Sequence, residues 1–366
     1  MWYGEYIHQK IGNLTAPQHS ASEDKICGKY YKEIYFMKKI IAVILSAALL
    51  CLSLSACGKS EAEPMKKLVL SEVTHSIFYA PQYVAINEGY FAEEGLEIEL
   101  VNAGGADKVM TSVLTGAADI GFAGAEACIY VYLQGKEDYP KVFAQLTKCD
   151  GSFLVGREKA ENFDWASLKG STILPGRKGG MPYMTLLYAL NKNGLSVGKD
   201  VFFNDTIQFN AMTGAFLSGE GDYVTVFEPS ATDIEMQGKG YILASVGEAG
   251  GEVPYTAYFA QQNYDAVTLQ KFTDAIAKGQ KFVAEKSAAE IAQAIAPSFP
   301  ETDIAVIETV VQRYKDIGAF SENPVMTEEA FERITDIVRN AGEIGAEDVV
   351  PFEAIIDNSY AENAVK

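Results

Sequence analysis

The sequence predicts an α/β protein with two lobes, each a mainly parallel sheet flanked by helices. Short apolar strands alternate with amphipathic helices over short connections, which is typical of such sheets. The alternation starts again in the second half of the chain, and about 300 residues, roughly half of them apolar, are enough for two cores. A strand-like alternation at residues 255–261 indicates a return to the first lobe. The predicted divisions are residues 66–148 and 255–366 for lobe 1 and residues 149–254 for lobe 2.

Turn residues and apolar spacing place the elements of the first lobe. Proline is tolerated in a first helical turn, and glycine commonly ends a helix. The predicted elements are a strand at 68–73, a helix from Pro81 to Gly89, a strand at 96–100, a helix between Gly105 and Gly116, and a strand at 118–122.

The second lobe repeats this order, and long amphipathic helices follow it. Its predicted elements are a strand at 171–174, a helix from Gly180 to 193, a helix at 209–218, a strand at 223–227 and a helix at 228–237. After the return strand, helices are predicted at 265–286, 288–296, 303–317 and 327–341.

Residues 37–56 have the three parts of a secretory signal: a basic start at Met37-Lys38-Lys39, about fifteen mostly apolar residues, and small residues before a cut. The apolar run is shorter than the about twenty residues of a bilayer-spanning helix. Leu54-Ser55-Ala56-Cys57 resembles the bacterial lipoprotein signal, which implies that Cys57 takes a diacylglycerol and becomes the new amino terminus. The alternatives are an ordinary signal peptide with a chance cysteine and an uncleaved anchor.

The segments on either side of this signal carry two further expectations. Residues 1–36 are neither basic nor apolar, and a signal's basic region normally starts the chain, so we expect translation to start at Met37. On this interpretation residues 1–36 are a mis-assigned upstream extension; the alternative is a genuine cytoplasmic one. Residues 57–65 are predicted to be a polar tether.

Charge and cysteine content exclude several classes of function. Without residues 1–56 the chain keeps 24 Lys and Arg against 45 Asp and Glu, about −21, which disfavours a nucleic-acid partner. Cys128 and Cys149 then remain, and two buried thiols are favoured over a disulfide between them. The sequence shows no zinc-ligand spacing, Walker loop, Gly-x-Ser-x-Gly elbow or His-Glu-x-x-His, so we expect no metal and no cofactor.

Four segments carry a resemblance to one family. Residues 80–100 resemble the opening of solute-binding proteins of ABC importers for thiamine-pyrimidine precursors, sulfonates, taurine and nitrate. The same family typically shows a glycine pair, as at Gly104-Gly105, a small-Gly-x-x-Asp-Ile-Gly segment, as at 115–121, and a Phe-Glu-Pro, as at 227–229. The match spans roughly residues 66–317.

The resemblance implies a two-lobed fold of the type II periplasmic-binding-protein kind, with two hinge crossings and a small molecule held in the cleft. Its implied partners are an ABC permease and its ATPase. The lipoprotein signal implies that the protein is lipid-anchored on the extracytoplasmic face of the cell membrane. We expect a monomer that is not an enzyme.

The ligand is expected at the carboxyl ends of the strands, where loops lead into helix N-termini with free N–H groups. The loops are at 76–80, 103–108, 123–127 and 175–183. Each glycine pair has two interpretations: it lets the backbone approach a ligand closely, or it forms a plain tight turn. Each aromatic residue likewise either stacks on a ring of the ligand or belongs to the hydrophobic core. Glu228 accepts from a ring amine or is a first-turn carboxylate. The candidate ligand-binding residues are Phe78, Tyr79, Gly104, Gly105, Ala125, Glu126, Gly179, Gly180, Met181, Tyr183, Phe227 and Glu228.

These loops hold more aromatic residues than cations, which favours a thiamine-pyrimidine precursor or another heteroaromatic ring over an anion. Arg177-Lys178 would suit a sulfonate, taurine or nitrate instead. A remote alternative is the fungal thiamine-pyrimidine synthase, an enzyme of this fold that uses a histidine and a lysine holding pyridoxal phosphate. The matching positions here are Ala123 and Ala127, which cannot perform that chemistry. A passive structural lipoprotein would not explain two glycine pairs before helices.

Overall fold

Two five-stranded sheets form the centre of the protein. The computed structural model describes residues 36–37, 64–208 and 211–366. Cys57, residues 38–56 of the predicted signal and most of the predicted tether therefore lie outside the described residues. Residues 64–366 form one compact unit, and the predicted α/β architecture with two sheets is confirmed.

The first sheet has the order β2-β1-β3-β10-β4. Its strands are β1 (Lys66–Glu72), β2 (Leu96–Asn102), β3 (Ile120–Ala123), β4 (Lys141–Thr147) and β10 (Thr256–Ala260). β1 pairs in parallel with β2 and β3, whereas β10 pairs antiparallel with both β3 and β4. Four strands thus point the same way, and the returning strand β10 runs against them.

The second sheet has the order β7-β6-β8-β5-β9 and the same plan. Its strands are β5 (Ser152–Gly156), β6 (Thr172–Leu174), β7 (Phe202–Phe203), β8 (Tyr223–Phe227) and β9 (Tyr241–Ser245). β6 is parallel to β7 and β8, and β5 is antiparallel to β8 and β9. Both sheets are therefore mixed, with one reversed strand each.

Helices flank both sheets. In chain order they are α1 (Ala80–Asn87), α2 (Tyr90–Glu93), α3 (Ala106–Leu114), α4 (Glu126–Leu133), α5 (Met181–Lys192), α6 (Met212–Leu217), α7 (Ser230–Met236), α8 (Val246–Gly250), α9 (Ala266–Glu285), α10 (Ala288–Ile295), α11 (Ile304–Asp316), α12 (Glu328–Asn340), α13 (Phe352–Ile355) and α14 (Ser359–Ala364). The helix predicted at 209–218 is α6, and positions 209 and 210 lie outside the described residues. Within the described ranges, no helix is long and apolar enough to cross a membrane.

Local chemistry sets where the long helices begin. Ser287 and Glu290 form a capping box at the start of α10, in which each side chain accepts from the other residue's backbone N–H. Asp303 and Thr327 cap α11 and α12 by accepting from backbone N–H groups of the first turn.

The first sheet and α9 share an aromatic core. Tyr258 of β10 stacks on Phe122 of β3 with ring centroids 4.5 Å apart, and Phe272 of α9 meets Tyr258 edge-on at 5.0 Å. Gly279 lets α9 cross α1 closely, because a Cβ at that position would overlap the carbonyl oxygen of Pro81. The long helix α9 is thereby fixed against the first sheet.

Two chain segments connect the sheets. Residues 148–151 lead from β4 to β5, and residues 251–255 lead from α8 back to β10. The two crossings are hydrogen-bonded to each other, since Val253 N–H donates to Lys148 O at 3.0 Å and Tyr255 N–H donates to Thr147 O at 3.2 Å. Lys148 N–H in turn donates to Ala319 O at 2.9 Å. This hydrogen bond joins the segment after α11 to the two paired crossings.

Candidate functional site

Loops from the strand ends of the two sheets contact each other. Asp107, in the first turn of α3, lies 3.6 Å from Arg177 of the loop after β6, measured from Oδ1 to Nη1. The hydroxyl of Tyr130 on α4 donates to Met184 Sδ on α5 at 3.7 Å. The Gly104-Gly105 and Gly179-Gly180 loops therefore lie at facing edges of the two sheets.

An aromatic cluster lies where the two crossings meet. Phe78 is buried in the 3-10 turn at residues 77–79, which Ser76 Oγ caps. The ring of Phe78 is 4.9 Å from Tyr314, 5.8 Å from Phe227 and 5.9 Å from Tyr255, between centroids. Gly151 permits this packing, since a Cβ there would lie 2.6 Å from the Phe78 ring. Phe78 and Phe227, both predicted, are thus brought together.

Glu126 is a buried acid at the start of α4, directly after the buried residue Ala125. Its carboxyl group lies where a Cβ of Gly124 would be, so this arrangement requires glycine at that position. Oε2 has no hydrogen-bond partner among the described residues. Burial raises the pKa of Glu126 to about 7, against the weaker lowering effect of its own backbone N–H.

Asp150 is a second buried acid, in the first crossing. Its Oδ1 accepts from Ser152 N–H at 2.7 Å, while Oδ2 lacks a hydrogen-bond partner in the part of the chain that the structure describes. Burial raises the pKa of Asp150, and the surrounding hydroxyls of Ser152, Tyr255 and Thr185 oppose that rise.

Tyr255 connects the two acids. Burial raises its pKa well above the usual value, and the negative charges of Asp150 and, more weakly, Glu126 raise it further. The phenol therefore lies within electrostatic range of both carboxyl groups. The candidates named from the sequence omit Asp150 and Tyr255.

Glu228 lies at the start of α7, where its carboxylate has partners within the protein. Oε2 accepts from Thr232 N–H at 2.9 Å, and Oε1 accepts from Thr232 Oγ1 at 3.0 Å and forms an ion pair with Arg313 of α11. The Glu228 N–H donates to Tyr314 Oη at 3.1 Å. Its role as a ligand acceptor stays a prediction, and a ligand would share the carboxylate with these groups.

The remaining predicted residues lie at several places around these groups. Tyr79 is buried against Phe122, with ring centroids 4.6 Å apart. Tyr183 meets Phe203 of the edge strand β7 edge-on at 5.1 Å. Met181 is the buried first residue of α5, and a Cβ on Gly179, whose φ is +77°, would lie 3.3 Å from Glu343 Oε1.

The described residues also show the state of the cysteines and whether a metal ion could be bound. Cys128 and Cys149 are both buried, free thiols within the described ranges. Across the same ranges, no group of three or more His, Cys, Asp or Glu side chains could hold a metal ion.

The geometry defines a class of protein: two mixed α/β sheets flanked by helices and joined by two crossings, as in solute-binding proteins. The chain belongs to the NMT1/THI5-like family, whose model matches residues 77–289. It is 44% identical over 316 residues to a candidate binding protein named YtlA from Bacillus subtilis (strain 168), covering 86% of this chain and 93% of that one.

Solved structures with the same fold have much lower sequence identity. The alkanesulfonate-binding protein SsuA from Xanthomonas axonopodis pv. citri, bound to MOPS, has a TM-score of 0.62 at 16% identity, over 80% of this chain and 98% of that one. The periplasmic nitrate-binding protein NrtA from Synechocystis PCC 6803 has a TM-score of 0.65 at 14% identity, over 82% and 88%. These similarities show the periplasmic-binding-protein fold alone.

Proposed function

We propose that this protein binds a small nitrogen-containing aromatic ring outside the cytoplasm and delivers it to the permease and ATPase of an ABC importer. The proposal is supported by three observations: the strand-end loops of the two sheets contact each other, an aromatic cluster lies at the crossings, and two carboxyl groups are buried. Aromatic faces and hydrogen-bond acceptors suit a flat ring that bears N–H groups. A thiamine-pyrimidine precursor is the first candidate, and the protein acts as a monomer without a cofactor.

Closure of the lobes would signal that the ligand is bound. With residues 66–148 and 255–366 as one lobe and 149–254 as the other, Phe78 and Glu126 belong to the first, and Phe227 belongs to the second. A ligand that contacts both lobes favours the closed state over the open one. The permease would recognise the closed state.

The role is transport rather than catalysis. Ala123 and Ala127 occupy the positions that carry the reactive residues in the pyrimidine-synthesising enzyme of this fold, and both are buried alanines. An alanine side chain can neither transfer a proton nor hold pyridoxal phosphate.

The alternative ligand is an anion of the sulfonate, taurine or nitrate type. Arg177 and Lys178 are exposed cations in a loop of the site, but Arg177 is paired with Asp107. Glu126 and Asp150 would both have to be protonated beside an anion, because like charges at short distance in a buried site are unfavourable. We therefore favour the ring.

Calorimetric titration of the purified protein tests the choice of ligand. We expect binding of formylaminopyrimidine or hydroxymethylpyrimidine and no heat with taurine, an alkanesulfonate or nitrate. Phe227→Leu should weaken pyrimidine binding by roughly three- to tenfold through loss of a stacking face. The control Phe163→Leu removes another half-buried ring, which packs on Trp165, and should leave affinity unchanged. Tight sulfonate binding without pyrimidine heat would reverse the assignment.

A lipid anchor at Cys57 is part of the same proposal. In cells given labelled palmitate, we expect label on the wild type but not on Cys57→Ser, which should leave the membrane fraction. Cys51→Ser is the matched control, because it changes the other cysteine of the signal six residues earlier. Label on Cys57→Ser would contradict the anchor, and any peptide from residues 1–36 in cells would contradict the start at Met37.

A further inference from the structure

We propose that Glu126 and Asp150 together select a ligand with a cationic, amidine-like pair of N–H donors. This inference rests on the proposed function, because it specifies the chemistry of the ligand for the same site. Glu126 follows a strand of the first sheet and Asp150 lies in a crossing, so the two carboxyl groups come from separate elements.

The first argument is the unused hydrogen-bonding capacity of these side chains. Glu126 is 5% exposed and Asp150 is fully buried, yet Oε2 of the first and Oδ2 of the second have no hydrogen-bond partner among residues that the structure describes. Buried polar atoms almost always have hydrogen-bond partners, and each buried polar atom that lacks one lowers the stability of the folded protein. Buried carboxyl oxygens without a partner in the expected cleft are therefore suited to accept hydrogen bonds from a ligand.

The second argument is chemical class. A bound cation lowers the pKa of a neighbouring carboxyl group, so Glu126 and Asp150 would be ionised in the complex despite their raised pKa values in the free protein. Ionised carboxyl groups only accept hydrogen bonds, so the ligand must donate. An exocyclic amine beside a protonated ring nitrogen presents two parallel N–H donors, as an amidine does, and such paired donors match a carboxylate in strong charge-assisted hydrogen bonds. A positive charge also offsets the cost of burying two acids close to one phenol.

A series of three ligands with one ring but different charge tests the inference. Benzamidine is cationic, benzamide is its neutral analogue and benzenesulfonate is anionic. In displacement of bound hydroxymethylpyrimidine, or by direct calorimetry, we expect benzamidine to bind at least tenfold more tightly than benzamide, and benzenesulfonate not to bind. An equal affinity for benzamidine and benzamide, or a preference for benzenesulfonate, overturns the inference.

Variants locate the preference within the protein. Glu126→Gln and Asp150→Asn keep the shape of each side chain, and each should reduce the ratio of benzamide to benzamidine dissociation constants by tenfold or more. Glu343→Gln, an exposed carboxylate near the same loops, should leave that ratio unchanged. A ratio unaltered in Glu126→Gln and Asp150→Asn, with pyrimidine still bound, overturns the inference and leaves the proposed function standing. Failure of the wild type to bind any pyrimidine would instead remove the proposed function.

The pH dependence of protein stability, measured without ligand, tests whether Glu126 is a buried acid with a raised pKa. Cys128, Tyr130 and Tyr255 lie within electrostatic range of Glu126, and their pKa values are raised away from neutrality. Glu343 acts on Tyr130, and Asp150 acts on Tyr255. A raised carboxyl pKa means that the folded protein loses stability as pH rises from the unfolded value towards 7. Glu126→Gln should therefore gain stability relative to wild type between pH 5 and pH 8. A constant difference would show that Glu126 is not the buried, unpaired acid that the inference needs.

Discussion

His75 links the end of β1 to the segment after α10 through one imidazole ring. Nδ1 lies 3.0 Å from Glu72 Oε1, and Nε2 lies 2.7 Å from the carbonyl oxygen of Ser298. The ring also packs against Phe299, with centroids 4.7 Å apart. Two acceptors facing the two ring nitrogens favour the doubly protonated imidazolium. The hydrogen bond to Glu72 raises the pKa of His75, against the lowering effect of burial.

His75 should contribute more stability in acid than in alkali. Because the folded pKa is raised, the contribution is complete below the unfolded value of 6.5 and is lost as pH rises through the folded value. We expect His75→Gln to lower the free energy of unfolding at pH 6 more than at pH 9. The difference should stay below about 1 kcal/mol, since more than a third of the ring is exposed. Urea unfolding at several pH values measures it.

The control for this titration is the partner carboxylate. In a Glu72→Gln background, the effect of His75→Gln should become nearly independent of pH. The other two histidines of the chain precede residue 37, so a protein that starts at Cys57 has no other histidine to confuse the result. A pH dependence that persists without Glu72 would contradict the proposed pair.

At the residue scale, some roles could not be predicted because the interacting residues are far apart in the sequence. His75 has no recognisable role in the sequence because its partner Ser298 is 223 residues away. Glu126 could be named, since it follows a strand in an expected ligand loop. Asp150 could not, because the two strands that flank it were not recognised; its sequence signal is a carboxylate beside Gly151 between two apolar runs.

At the scale of elements, α11 holds the start of α7. Arg313 of α11 forms ion pairs with Glu228 and Glu235, and its Nη1 donates to Thr232 Oγ1 at 2.8 Å. The next residue, Tyr314, accepts the backbone N–H of Glu228. The end of one helix thus fixes the loop that carries two predicted site residues, Phe227 and Glu228.

The two ion pairs of Arg313 should differ strongly in energy. The Glu228 side chain is fully buried, so Arg313→Met leaves a buried carboxylate without its cation and should cost about 3–5 kcal/mol. Glu235 is 31% exposed, and Glu235→Gln should cost less than about 1 kcal/mol. Urea unfolding of the two variants compares them. Similar losses in both would show that the buried pair has no special importance.

Among the elements, the long amphipathic helices were predicted most closely. The four long helices after residue 264 end within about two residues of their predicted limits, because each has one apolar face. Strands β4, β5, β7 and β9 were not predicted. All five residues of β5 and six of seven in β4 are buried, so neither strand alternates between apolar and polar residues, and β9 is half-buried throughout most of its length.

At the scale of the whole molecule, the site depends on how the crossings bring distant segments together. Phe78, Asp150, Phe227 and Tyr255 come from four segments, and the sequence predicts the loops but not their pairing. The returning strand was predicted at residues 255–261, yet its reversed direction in the first sheet follows only from the structure. Residues at the crossings should therefore affect closure as well as stability.

Gly251 begins the second crossing with φ of 90° and ψ of −178°, a conformation that only glycine adopts readily. We expect Gly251→Asn to cost about 1–3 kcal/mol in unfolding free energy and to shift the balance of open and closed lobes, seen as a changed radius of gyration in small-angle X-ray scattering. Gly318→Asn is the matched control, because Gly318, at φ of 61°, is in the left-handed region that Asn tolerates, and no described atom lies within 4 Å of its added Cβ. It should be nearly neutral in both measurements. Equal effects of the two variants would mean that the backbone at Gly251 has no particular influence on the crossing.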